Sequence, residues 1–250
     1  MASAQLCRAI RWQRHLRASH RSMSPSAPRP EPMREAADPV QISPDLLEEV
    51  AGFGTATLHE AAGRIGALPG AIAPLDRAMR LRGRVLPVFS PAGDNLAVHR
   101  AIALARHGDV LVVSGGGTLS HGPFGDILAL AARMRGIAGL VMDGAVRDSD
   151  SLIAMDFPVF ARGCSIQGTV KCNPGTVGMP IQIGDVTVHP GDVVIGDADG
   201  VVVLPPERLT EIHAAALDRL AAEADMRARI AKGELTLDLL GLRGMIPADR

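Results

Sequence analysis

The sequence predicts an α/β sandwich with a β-rich half and a long C-terminal helix. Three observations lead there. Between residues 80 and 163, apolar strands alternate with helical segments. Between 181 and 205, short β runs follow one another with Gly-Asp turns, and from about 206 to 232 a single helical pattern runs on. Alternation of strand and helix marks an α/β core, whereas strands in direct succession mark a β layer.

Each element has its own signal. "SPDLLEEVAGFGTATLHEAAG" predicts a helix capped by Ser43, a turn at Gly52 to Gly54, and a second helix begun near Thr55 or Thr57 and stopped by Gly63. Strands are expected at "RLRGRVLPVF", "DVLVVSG", "GLVMDG" and "FPVFARG", with helices at "NLAVHRAIALA" and "DILALAARMRG" between them. The run "IQIGDVTVHPGDVVIGDADGVVVLP" supplies the β layer.

Composition narrows the function classes. At 250 residues and 47% hydrophobic, the chain can bury a full core; residues 39–250 are expected to form one domain. The net charge of -1 and an aromatic content of 2%, with no tyrosine, argue against a nucleic-acid partner. No apolar run reaches the roughly 20 residues that span a bilayer, so no membrane role is expected. Three cysteines without metal-ligand spacing argue against a zinc site and for a reducing, cytoplasmic setting. Residues 1–38 are rich in Arg, Ser and Pro and read as a disordered basic extension. A transit-like segment or a start at Met23 or Met33 would account for it.

Gly-Asp precedes an apolar run at Asp109, Asp126, Asp185 and Asp192. Turn chemistry suffices for the three that lead into β runs. Asp126 leads into a helix, where the free amides of Ile127 and Leu128 form an anion pocket. The strand that follows ends in "DGAVRD", which puts Arg147 and Asp148 just beyond its carboxyl end, where open α/β sheets bind ligands. The glycine-rich "SGGGTLSHGPFG" leaves another strand end and returns to Asp126. In such a cleft the Arg147 fork suits the carboxylate and keto oxygen of a small oxo acid. Asp148, with Asp126 acting through water, suits a hard cation such as Mg²⁺. The plainer alternative is a loop ion pair between Arg147 and Asp148 and a simple helix-start role for Asp126.

The spacing of Asp126 and Arg147-Asp148 within "GDILALAARMRGIAGLVMDGAVRD" resembles the signature of class II pyruvate aldolases. These cleave 4-hydroxy-4-methyl-2-oxoglutarate and 4-carboxy-4-hydroxy-2-oxoadipate, and belong to one superfamily with the ribonuclease E activity regulators. The likeness continues through "TATLHEAAGR", "GDNLAVHRAI", "GDVLVVSGGG", "FPVFARG", "PGDVVIGDADGVVVLP" and "ELTLDLLGLRG", over residues 40 to 243.

The resemblance implies a swivelling β/β/α-type domain that releases pyruvate plus oxaloacetate or a second pyruvate, with oxaloacetate decarboxylation as a side activity. Arg147 would bind the pyruvyl moiety and stabilise its enolate, and Asp148 would ligate Mg²⁺ or Mn²⁺, with Asp126 acting through water. The amides of Ile127 and Leu128 would hold the carboxylate, and Asn95 would position the substrate. The family also implies a homotrimer or hexamer in which a glutamate of the last helix enters a neighbour's site. Glu223 is the match here, and it shares a helical face with Ile212 and Ile230. His59 is a candidate for the distal carboxylate of the substrate, with a capped helix histidine as the alternative. His121 lies in the loop before Asp126, where family members differ. No lysine has a marked apolar setting, so Schiff-base chemistry is not expected. A protein-binding regulator of a ribonuclease on the same fold is the competing reading, although those relatives generally lack an acid where Asp126 stands.

Overall fold

The computed structural model describes residues 42–245, so the basic extension lies outside the described residues. Helix α1 (Pro44–Ala51) starts where the Ser43 hydroxyl accepts the Leu46 amide at 3.1 Å, and ends at Gly52. After α2 (Thr55–Ala61) come β1 (Ala73–Pro74), β2 (Leu81–Phe89), α3 (Leu96–Leu104), β3 (Asp109–Ser114), α4 (Asp126–Met134) and β4 (Gly139–Val146). Next follow α5 (Ser149–Ala154), β5 (Val159–Cys164), β6 (Thr176–Val177), β7 (Ile181–Ile183), β8 (Val186–Val188), β9 (Val193–Asp197) and β10 (Gly200–Leu204). The described residues close with α6 (Leu209–Ile230), the short α7 (Thr236–Leu239) and a 3-10 turn at Leu242–Met245.

The predicted strands and helices are present, but the two halves are fused more closely than the sequence suggests. The main sheet runs β1-β5-β4-β3-β2-β9-β10, with β6 on β2. Strands β2 to β5 pair in parallel, whereas β9 and β10 are antiparallel, so β2 joins the two patterns in one continuous sheet. The sheet curls until its end strands β1 and β10 touch, which nearly closes it. Among the strands of the described residues, β7 and β8 alone pair outside this sheet, as a hairpin.

Among the described residues, three apolar clusters pack around the sheet. Helices α3 and α4 cover one face through Val98, Ala101, Leu128 and Ala129, packed on Leu111, Val113, Leu140 and Met142. The hairpin residues Ile181, Ile183 and Val188 cover the other face with Val112, Val141 and Phe160. Covered on both faces, β3 and β4 are buried throughout, which is why they read as unbroken apolar runs. The third cluster joins α1, α2 and α6 to β9 and β10 through Val50, Leu58, Ile212, Ile195 and Leu204. Beyond Ala216, α6 leaves that core, and Leu217 and Ile230 are exposed. No helix of the described residues is long and apolar enough to cross a membrane.

One polar clamp ties α2 to β9. The Thr55 amide and hydroxyl both donate to the Asp197 carboxylate at 2.7 Å. Burial alone pushes the Asp197 carboxyl up, but bonds from Thr55 and from the backbone of Asp199 and Gly200 outweigh it and hold the group below its ordinary value. Because the folded value lies below the unfolded one, this contribution is present at neutral pH and is lost as pH falls through the lowered value. Thr55→Val should therefore destabilise the fold by about 1–3 kcal/mol at neutral pH. In denaturant titrations the difference should shrink below about pH 4, where an unfolded carboxyl protonates. A pH-independent difference would contradict the clamp.

Candidate active site

The parallel pairing of β3 with β4 sets Ser114 opposite Asp143, so the loops that follow both strands leave the same edge of the sheet. The loop after β3 returns to α4, whose N-cap is Gly125 in extended conformation. The first bond reaching back from α4 runs from the Ala129 amide to the Gly125 carbonyl at 3.0 Å. Three earlier amides therefore lack helical acceptors. The Asp126 amide donates to the Asp148 carboxylate at 3.4 Å. The Ile127 amide, expected to be free, instead donates to Asp126 Oδ1 at 2.7 Å, so a ligand reaching it must displace that oxygen. The Leu128 amide has no hydrogen-bond partner among the described residues and remains open.

Across from this helix start, the Arg147 amide donates to the Phe124 carbonyl at 2.9 Å, which binds the loop to the end of β4. The contact is tight. A Cβ on Gly125 would lie 2.3 Å from Asp148 Oδ2 and 2.9 Å from Arg147 Cγ. One on Gly122 would lie 2.6 Å from the Ser165 carbonyl oxygen and 2.8 Å from Arg147 Cβ. The Arg147 guanidinium approaches the neighbouring Asp148 carboxylate at 3.3 Å, with both side chains partly exposed. The loop ion pair foreseen as the plain alternative is thus present.

The backbone of Asp148, like that of Arg64 and Asp156, has positive φ. Asp148 has φ 57° and ψ 40°, in the left-handed region, and serves as N-cap of α5 without a capping hydrogen bond from its side chain. That short helix went unanticipated, although an aspartate ahead of "SDSLIA" is a helix-start signal. For a residue with a Cβ the conformation costs roughly 1–2 kcal/mol. An exposed ion pair returns only about 0–1 kcal/mol, which does not exceed that cost.

Two further groups complete the edge. Asn95, 7% exposed, donates from Nδ2 to the Pro123 carbonyl at 2.9 Å, while its Oδ1 is buried with no partner among the described residues. Asp143 was missed by sequence reasoning, although an acid inside the apolar "GLVMDGAV" was a visible signal. It is 5% exposed and accepts from Arg162 Nε at 2.6 Å, while its carbonyl accepts the amides of Gly115 and Gly117. It fastens the start of the glycine-rich loop to β4.

His59 and Glu223 lie elsewhere. The His59 ring bonds through Nδ1 to the Ile65 carbonyl at 3.1 Å, the capped arrangement foreseen as its alternative. Glu223 sits between Arg219 at 3.1 Å and Arg227 at 2.8 Å on the outer part of α6. Among the described residues, neither bonds to Asp126, Arg147 or Asp148 within the chain.

Among the described residues no three His, Cys, Asp or Glu side chains gather as a metal site. Asp126 and Asp148, whose backbone and carboxylate meet at 3.4 Å, supply the kind of donor that Mg²⁺ takes when it binds through one or two carboxylates and keeps several waters.

The sequence profile of the RraA-like family, described as Aldolase/RraA, matches residues 45–203. The chain belongs to this family. A relative from Halalkalibacterium halodurans, named "Putative 4-hydroxy-4-methyl-2-oxoglutarate aldolase", is 36% identical over 165 residues, which cover 66% of this chain and 79% of the relative. Among solved structures, RraAS2 of Streptomyces coelicolor, described as an unusual member of the RNase ES inhibitor RraA family, superposes with a TM-score of 0.68 at 28% identity. That match covers 76% of this chain and 100% of the other. The RNA-processing inhibitor RraA of Thermus thermophilis matches with a TM-score of 0.57 at 32% identity, over 61% of this chain and 92% of the other. The RraA-like family thus spans chains named for aldol chemistry and chains named for inhibition.

The strain at Asp148 gives a test of whether the site is kept for function. Glycine relieves the left-handed conformation but loosens the unfolded chain by about 0.5–1 kcal/mol. Asp148→Gly should thus be as stable as the parent, or up to about 1 kcal/mol more stable, in chemical denaturation. Pyruvate binding in the presence of Mg²⁺ should be lost. Clear destabilisation with binding intact would assign Asp148 a structural role.

Proposed function

We propose that this chain is a divalent-metal-dependent aldolase that cleaves a 4-hydroxy-2-oxo acid. The substrates are 4-carboxy-4-hydroxy-2-oxoadipate or 4-hydroxy-4-methyl-2-oxoglutarate; the products are pyruvate plus oxaloacetate or a second pyruvate. Oxaloacetate decarboxylation accompanies it. The observation that carries this reading is the meeting, at one sheet edge, of the Arg147 guanidinium, the open Leu128 amide, and the carboxylates of Asp126 and Asp148.

Arg147 and the Leu128 amide bind the pyruvyl carboxylate, with Arg147 also turned to the C2 oxygen. The unpartnered Oδ1 of Asn95 is an acceptor for a substrate hydroxyl. As a water in the site takes the C4 hydroxyl proton, the C3–C4 bond breaks and its electron pair passes into the enolate of pyruvate, which Arg147 stabilises. Protonation at C3 completes the reaction. Asp148, with Asp126 through water, would hold Mg²⁺ or Mn²⁺, which supplies positive charge for the developing enolate oxygen. In this reading the active form is a homotrimer or hexamer. Glu223 acts in a neighbour's site from the exposed outer half of α6, and the distal carboxylate meets His59 from the same or an adjacent copy.

The second reading, an inhibitor of RNA processing, is favoured by the RraA structures. Asp126 weighs against it, because the resembling regulators generally lack that acid. Turnover separates the two. Pyruvate release should vanish under chelation and return with Mg²⁺ or Mn²⁺. Arg147→Ala should lower cleavage and oxaloacetate decarboxylation together by roughly 10²-fold to 10³-fold, since both pass through one enolate. Arg147→Lys should restore little, because a point charge lacks the bidentate fork. Mixed Arg147→Ala and Glu223→Ala chains should regain part of the activity once subunits exchange. Decarboxylation at the parent rate in Arg147→Ala would contradict the shared enolate.

A further inference from the structure

The glycine-rich loop is fastened at several points. Gly115 and Gly117 donate to the Asp143 carbonyl, Gly122 donates to Gln167 at 2.9 Å, the Ser165 hydroxyl donates to the Ser120 carbonyl at 3.0 Å, and Pro123 accepts from Asn95. Between these bonds, His121 turns its ring inward. A Cβ on Gly93 would lie 3.4 Å from His121 Cε1, 3.5 Å from Nδ1 and 3.6 Å from Nε2, so the nitrogen-bearing edge rests on the Gly93 backbone. The position also demands glycine, because φ at Gly93 is 75°. Nδ1 is buried and has no hydrogen-bond partner among the described residues.

A buried nitrogen without a partner costs about 1–3 kcal/mol, and a phenyl ring would fill the same space without that cost. The structure offers the missing partner. Beside His121 lies a cavity of about 10 Å³ whose polar lining includes Ser90, Asp94 and Thr118. That is about the least space that admits a single water, which needs two to four polar partners. The Ser90 hydroxyl donates to the Asp94 carbonyl and keeps lone pairs free; the Thr118 hydroxyl accepts from the Ser120 amide and keeps its proton.

We propose that His121 is the positioning residue that locks the glycine-rich loop onto Arg147, through one water held between its Nδ1 and the Ser90 and Thr118 hydroxyls. The next residue transmits the lock. Gly122 has no space toward Arg147 Cβ, so a loop that shifts at His121 shifts the arginine or breaks the contact. His121 acts on ligand binding only through Arg147, and in that respect the inference rests on the proposed carboxylate-binding role of Arg147.

Two variants and two readouts test it on the full chain with Mg²⁺. His121→Phe keeps a ring and removes the nitrogen, whereas His121→Asn restores a polar atom at the Nδ1 position. The first readout is hydrogen exchange at the amides of Gly122 and Arg147; the second is calorimetric affinity for oxalate, a mimic of the pyruvate enolate. In His121→Phe, exchange should quicken and oxalate binding weaken by about tenfold each, the loss of one hydrogen bond. His121→Asn should recover most of both. Parent-like exchange in His121→Phe overturns the proposal, as does a His121→Asn variant no better than His121→Phe. A parent chain that exchanges as predicted but binds no oxalate fails the Arg147 reading and leaves the lock standing.

Discussion

The site depends on a steric contact, the backbone of Gly122 and Gly125 laid directly against Arg147 and Asp148. Two features of the fold make the contact possible. Parallel pairing of β3 and β4 sends both following loops off the same edge, and the return of the chain into α4 brings the helix start to the end of β4. Glycine then removes the atoms that would hold the two segments apart. The Asp126 amide, the open Leu128 amide and the Arg147 guanidinium owe their proximity to that approach. Buried strands and the Asp143-Arg162 pair hold the edge in place beneath it.

The energetics at this edge run against stability. Asp148 occupies a left-handed conformation that disfavours it, its carboxylate leaves its own helix α5 uncapped and reaches only the Asp126 amide of α4 at 3.4 Å, and its ion pair with Arg147 is open to solvent. Elsewhere the chain spends its charged and polar groups conventionally. Asp109 accepts from Arg84 and from the Arg106 amide, Asp192 accepts the His189 amide, and Asp197 accepts from Thr55. Those are turn and clamp roles in which every bond serves the fold. Arg64 and Asp156 adopt the same left-handed region, so what distinguishes Asp148 is its place beside Arg147 and the start of α4, an edge suited to a ligand.

Much of this was legible in the sequence, because it rests on local pattern. Unbroken apolar runs gave β3 and β4, Ser43 gave the start of α1, and the glycine-rich loop leading back to Asp126 pointed to a helix start beside the end of β4. What stayed hidden depends on long-range packing. The antiparallel pairing of β2 with β9, which fuses the halves into one curled sheet, leaves no local trace. Nor could the sequence show that Asp126 bonds the Ile127 amide, that His59 turns to Ile65, or that His121 rests on Gly93. Those follow from side-chain directions set by neighbours distant in the chain. Glu223 has intrachain arginine partners here, and its proposed role concerns a second copy.

The central claim is that this edge stabilises the enolate of pyruvate. Solvent exchange at the methyl group of pyruvate in heavy water, followed by proton NMR, tests it without any longer substrate. The account predicts rapid loss of the methyl signal with the parent chain and Mg²⁺, and none above background with Arg147→Ala. A methyl signal that persists under the parent chain while it splits a 4-hydroxy-2-oxo acid would contradict it.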